Sequence, residues 1–92
     1  MRILHAIRTL DPAWGGPVHG LRAITSAARK MGIHAEIVCL DSPDADWLAS
    51  WNLPVHALGS AKLTYGFSGA LSKWLSNNVK RYDAVVIEGI WM

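Results

Sequence analysis

The chain has 92 residues, of which 51% are hydrophobic and 17% charged, the balance of one small globular domain rather than a disordered segment. Nine Lys and Arg against seven Asp and Glu give a net charge of +2, spread along the chain without a basic block, which argues against a nucleic-acid partner. No apolar run reaches 18 residues and the first residues lack a signal-peptide core, so the expected compartment is the cytoplasm.

Residues 2–7 form a short apolar run closed by turn residues, the pattern of a strand buried on both faces. Pro17 suits the first position of a helix in which Val18, Leu21, Ile24, Ala28 and Met31 recur at steps of three and four, until Gly32 supplies a left-handed stop. Residues 35–40 are a second buried strand, and Cys39 within it reads as a small buried hydrophobe rather than a reactive thiol. One cysteine gives neither a disulfide framework nor a CxxC site. Ser42-Pro43, followed by Asp44 and Asp46, opens a second helix with Trp47, Leu48 and Trp51 as its apolar face. Residues 53–58 are a third apolar run; Pro54 cannot donate to a ladder, which places this strand at a sheet edge. After a loop over 59–67, Ser68 caps a third helix carrying Leu71, Trp74, Leu75 and Val79 on one face, with Lys80 and Arg81 at its end. Residues 83–88 give a fourth buried strand.

The order β-α-β-α-β-α-β calls for a parallel sheet wound by right-handed crossovers. With the proline-bearing strand at one edge, the simplest order is 3-2-1-4. That is a half Rossmann-like, three-layer α/β unit with about three helices, filling residues 1–92 as a single partial domain. Ligands of such sheets sit at the carboxyl ends of the strands where the order reverses, here strands 1 and 4. The loop TLDPAWGGPVHG, residues 9–20, is thereby expected opposite EGIWM, residues 88–92.

Free amides at the start of the first helix, with Gly15 and Gly16 presenting no side chain, make a candidate pyrophosphate-binding loop. The alternative is a tight strand-to-helix turn that needs glycine for itself. The glycines read GGxxxG rather than GxGxxG, and GxxxxGK[ST] does not occur, so neither a dinucleotide fingerprint nor a P-loop is present. Asp41 after strand 2 keeps a nicotinamide-dependent fragment as a third, lower-ranked reading. His19 in the first turn of the helix is a candidate ligand contact or a solvated surface residue. His5, His34 and His56 read as structural, no histidine pair has the spacing for zinc, and no metal or cofactor is expected. Glu88 is a candidate base or hydroxyl ligand, or else a solvent-facing carboxylate. Trp14 and Trp91 are candidate walls for a sugar ring or hydrophobic acceptor, or else packing residues. Lys73, Lys80 and Arg81 beside Trp74 offer a peripheral contact with an anionic membrane, against the reading of a solvated face.

The opening strand, the loop ending in Gly15-Gly16-Pro17, the stretch HGLRAITSAARKMGIHAEIVCL and the late YDAVVIEGIW together resemble the N-terminal domain of the family 4 (group 1) glycosyltransferases of the GT-B fold. The resemblance runs over essentially the whole chain. It implies two facing Rossmann-like domains, of which the N-terminal one mainly binds the acceptor. Its glycine loop, here Gly15 and Gly16, approaches the diphosphate of a sugar nucleotide held by the other domain. The implied chemistry is retaining, metal-independent transfer from a nucleotide-diphosphate sugar to a glycan or lipid acceptor, as in polysaccharide biosynthesis at the inner face of a membrane. Where the family usually has a histidine at the end of strand 4, this chain has Glu88. Family members run to several hundred residues, so the resemblance implies a fragment or truncated product that lacks the C-terminal donor-binding domain and is inactive alone. Strand 4 then has no outer neighbour, and self-association across it or through the tryptophan-rich face is expected. A reading of another class is a standalone half-Rossmann nucleotide-binding or oligomerisation module without catalysis.

Overall fold

The structure is a computed structural model and describes residues 1–59 and 71–88. Four strands, β1 (Arg2–Ala6), β2 (His34–Cys39), β3 (Val55–Ala57) and β4 (Ala84–Ile87), form one parallel sheet in the order β3-β2-β1-β4, as the sequence predicts. Among the described residues, two α-helices, α1 (Gly16–Lys30) and α2 (Ser72–Asn78), and 3-10 segments at Pro12–Trp14, Asp46–Ser50 and Val79–Arg81 accompany it. Pro54 lies directly before edge strand β3 and supplies only its carbonyl, which accepts the Ile37 amide at 3.0 Å. An edge is where a residue without an N–H disturbs the ladder least.

Strand alternation sorts the side chains into two cores. On one face Ile7, Ile37 and Cys39 meet Val18 and Leu21 of α1, with Leu10 and Trp51 closing the cluster. On the other, Leu4, Ala6 and Val38 meet Leu71, flanked by Trp74, Leu75 and Tyr82. Helices therefore cover both faces, the layering that right-handed crossovers impose. Cys39 is buried, and that burial pushes its thiol up to about 12, so it is a packing residue.

The end of α1 follows from its glycine. Gly32 takes φ +78°, and the amides of Gly32 and Ile33 return to the carbonyls of Arg29 and Ala28 at 3.1 and 2.9 Å, the paired bonds of a Schellman stop. The face of α1 differs from the expected stripe: Ile24 and Met31 are 52% and 75% exposed, whereas Thr25 is buried. Val18, Leu21 and Thr25 are the residues that meet the sheet, and the Thr25 hydroxyl donates to the Leu21 carbonyl at 3.0 Å, which makes a polar group acceptable there.

The helix expected from Ser42 is instead a 3-10 segment over Asp46–Ser50. Successive three-residue turns link Ser42 to Ala45, Ala45 to Leu48 and Leu48 to Trp51. One turn already brings Trp47, Leu48 and Trp51 onto the core, after which the chain must extend into β3. So short a segment cannot recover the cost of helix nucleation. The Ser68 cap and the loop assigned to 59–67 fall largely outside the described residues; the helix there is described from Ser72 to Asn78.

Candidate functional site

The strand order reverses between β1 and β4, so the carboxyl ends of these neighbours define the candidate site. The loop leaving β1 is held from below by Asp41, a buried residue just past β2. One Asp41 oxygen accepts the Thr9 hydroxyl at 2.6 Å and the other accepts the Leu10 amide at 2.7 Å. The Thr9 hydroxyl in turn accepts the Asp11 amide at 3.1 Å, and the Asp11 carboxylate caps the Pro12–Trp14 turn through the Ala13 amide. With both oxygens so engaged and the side chain buried, Asp41 acts as a staple for the loop.

The staple delivers the chain to Gly15 at φ +72° and ψ −121°, a conformation that side chains with a Cβ rarely adopt. Gly16 differs: it is the first residue of α1, is not at positive φ, and a Cβ built on it meets nothing within 4 Å. Packing beyond the chain neighbours does not call for glycine at 16, but Gly16 is helical and directly precedes Pro17, whose ring disfavours the helical conformation for a preceding residue that carries a Cβ. The start of α1 has no side-chain cap, and its first intrahelical bond is His19 N–H to Gly15 C=O at 3.1 Å. Because Pro17 has no N–H, the amides of Gly16 and Val18 are the first-turn donors outside the helical ladder.

Across the reversal, β4 delivers Glu88. Its amide donates to the Ala6 carbonyl at 2.8 Å, and its carboxylate lies 2.7 Å from Nδ1 of His5, a buried residue of β1. The structure thus joins two residues that the sequence left separate, and Glu88 is partly buried rather than a free rim carboxylate. His19 is exposed on α1, with its side chain outside the hydrogen-bond networks described. Trp14 is 41% exposed in the turn before Gly15, where it can flank the cleft. Trp91 lies outside the described residues.

A second polar cluster, at the amino-terminal ends of the strands, was not singled out as a unit in the sequence. Glu36 of β2 is 3% exposed and accepts from Arg2 at 2.9 Å, His34 at 2.8 Å, His56 at 2.8 Å and Tyr82 at 2.7 Å. Burial alone raises a carboxyl, but here the four hydrogen bonds outweigh it and hold Glu36 well below the usual carboxylate range. Tyr82 shifts the other way, pushed up to about 12 by burial and by the carboxylate it donates to. Every described histidine except His19 is therefore paired with a glutamate, which is the structural role expected of them. Trp74 is partly buried and packs beside His56 and Tyr82, ring centroids 4.9 and 6.4 Å away.

The molecule is thus an open, parallel α/β sheet with helices on both faces and a reversal in strand order beside a glycine loop. Comparison of the chain with protein-family models, with curated proteins and with solved structures finds no match. Among the described residues no group of three or more His, Cys, Asp or Glu is placed to hold a metal ion, and no helix is long and apolar enough to cross a membrane.

Proposed function

We propose that this fold serves as the acceptor-side half of a glycosyltransferase, with the Gly15-Gly16 loop facing the diphosphate of a nucleotide-sugar donor and Trp14, His19 and Glu88 toward the substrates. The observation that carries the reading is the place of the Gly15-Gly16 loop, an uncapped helix start with open space before it, beside the reversal of strand order. First-turn amides without a partner at such a helix start can receive an anion, and glycine lets it come close. The positive end of α1 would act by stabilising the leaving diphosphate, without a metal. His5 would hold the Glu88 carboxylate in one orientation at the rim. The reading sets the reaction in the cytoplasm, near the inner membrane face when the acceptor is a lipid.

The test is a titration of the 92-residue chain with UDP and with UDP-glucose, followed by amide chemical shifts. Weak, millimolar binding centred on Gly16 and Val18 is expected, with no sugar transfer by these residues alone. Gly16→Val is expected to remove that binding with some loss of melting temperature, because a side chain before Pro17 disfavours the helical conformation; amide shifts of the sheet that match wild type show that the loss is local. Binding that survives Gly16→Val overturns the reading; micromolar binding by the chain alone instead favours the standalone nucleotide-binding module.

Self-association belongs to the same proposal. All four residues of β4 are apolar, yet Val86 and Ile87, which point to opposite faces, are 40% and 48% exposed. A second copy adding along β4 would cover them. Sedimentation is expected to show a concentration-dependent dimer that Ile87→Lys returns to monomer, and a wild-type chain that stays monomeric at all concentrations removes this part of the proposal.

A further inference from the structure

Residues 51–54, at the end of the crossover from β2 to β3, border an open space beside α1. This cavity of about 450 Å³ lies at the amino-terminal ends of β2 and β3. It lies at the opposite end of the sheet from Gly15, Gly16 and Glu88, so it does not depend on the glycosyltransferase reading. Its volume is within the range of small-molecule sites.

The walls differ in chemistry. Trp51, Leu53 and Ile33 make an apolar side. Arg22, Ser26 and Arg29, from successive turns of α1, make a polar side, and the lining contains no Asp or Glu. The Arg22 guanidinium is stacked 4.1 Å from the Trp51 ring centre and donates to the Ser50 carbonyl at 3.2 Å and the Ser50 hydroxyl at 2.9 Å. Those bonds use two of its five N–H donors and fix the rest in place. Arg29, two turns further along, has no acidic partner among the described residues. A preorganised guanidinium, a second cation two turns away and an apolar wall opposite suit one kind of ligand.

We propose that this cavity binds a small organic anion, a carboxylate or phosphate joined to an apolar ring or short chain. The anionic head lies between Arg22 and Arg29 and the apolar body lies on Trp51 and Leu53. Guanidinium forks match both head groups, and the apolar wall sets the ligand apart from a bare inorganic ion. A free small molecule and the head of a membrane lipid share this chemistry.

The experiment is a titration of the 92-residue chain, observed by 1H–15N spectra, with phenyl phosphate, with inorganic phosphate and with benzyl alcohol. It is paired with co-sedimentation on phosphatidylglycerol/phosphatidylcholine vesicles. Saturable shifts centred on the Trp51 indole and the Ser26 and Asn52 amides are expected with phenyl phosphate, with binding at least about tenfold weaker for each of the other two probes. Arg29→Gln, an exposed position, lowers the phenyl phosphate affinity about tenfold and leaves the melting temperature unchanged. Arg22→Gln does the same with some loss of stability, because it also loses its stack on Trp51. Vesicle binding that Arg29→Gln abolishes identifies the lipid source, and phenyl phosphate binding without vesicle binding identifies the free molecule. No saturation by about 10 mM phenyl phosphate, or an Arg29→Gln chain that binds as tightly as wild type, overturns the proposal.

Discussion

Glu36→Gln is expected to destabilise the chain by about 3 kcal/mol, a large share of what a domain of this size has. The carboxylate is the common acceptor for Arg2, His34, His56 and Tyr82, which belong to β1, β2, β3 and the turn before β4. An amide in its place has one acceptor oxygen and no charge, so several of these donors lose their partner, and water can replace it at the exposed Arg2 and His34 but scarcely at the buried oxygen of residue 36. Tyr82→Phe removes a single donor and is expected to cost about 1 kcal/mol. Urea titration gives both values, and a Glu36→Gln chain within 1 kcal/mol of wild type would show that the cluster adds little. The pH dependence has a definite sign. The folded state holds Glu36 below its unfolded value of about 4.3, so the cluster contributes its full stability above that pH and loses it as pH falls further, toward the folded value. Wild type should therefore weaken steeply below about pH 4, and Glu36→Gln should show a flatter acid limb over that range.

Asp41→Ala is expected to cost about 3 kcal/mol and to release the loop that carries Gly15. The Leu10 amide is buried and has the Asp41 carboxylate as its acceptor, so the alanine leaves an unpaired donor in the core as well as a free Thr9 hydroxyl. Asp41→Asn keeps one acceptor and is expected to cost about half as much. Hydrogen exchange separates the two roles open to this residue. A staple predicts faster exchange at Leu10, Asp11 and Ala13 in the variant, with any effect on nucleotide binding following from the loop. A ribose ligand predicts unchanged stability and exchange with loss of binding to a nicotinamide dinucleotide, and that outcome would reverse the assignment made here.

The sheet was legible because its signals are local. Apolar runs mark the strands, Pro54 marks the edge, and Gly32 marks the end of α1, each through the chemistry of one or two residues. The short crossover was not legible, since Trp47, Leu48 and Trp51 fit one face of a helix as well as they fit a single 3-10 turn. Exposure of Ile24 was missed for a related reason: periodicity gives a stripe about one residue wide of its true centre, and Thr25 can be buried only because its hydroxyl bonds back along the helix. At the candidate site, Gly15 and Gly16 are singled out by residue type alone, and only the backbone tells them apart. Glu36 and its donors, and the His5–Glu88 pair, depend on register: His5 faces Val86, which puts Glu88 two residues on along the same face. A sequence carries no register until the pairing is known, although charged residues at strand ends on one side of an alternating pattern are the signal to look for.

The central strand also sets the order of events during synthesis. β1 leaves the ribosome first, but the residue that pairs with its start, Asp83, follows 81 positions later, with Arg2 and Asp83 joined at 2.7 Å. At ordinary translation rates of about 5–20 residues per second, one side of β1 therefore stays open for roughly 4–16 seconds. During that interval the apolar run around Ile3, Leu4 and Ile7 is an unpaired edge in a crowded cell. That side of β1 is covered only when β4 has been made, so the strand order itself sets how long the central edge stays open.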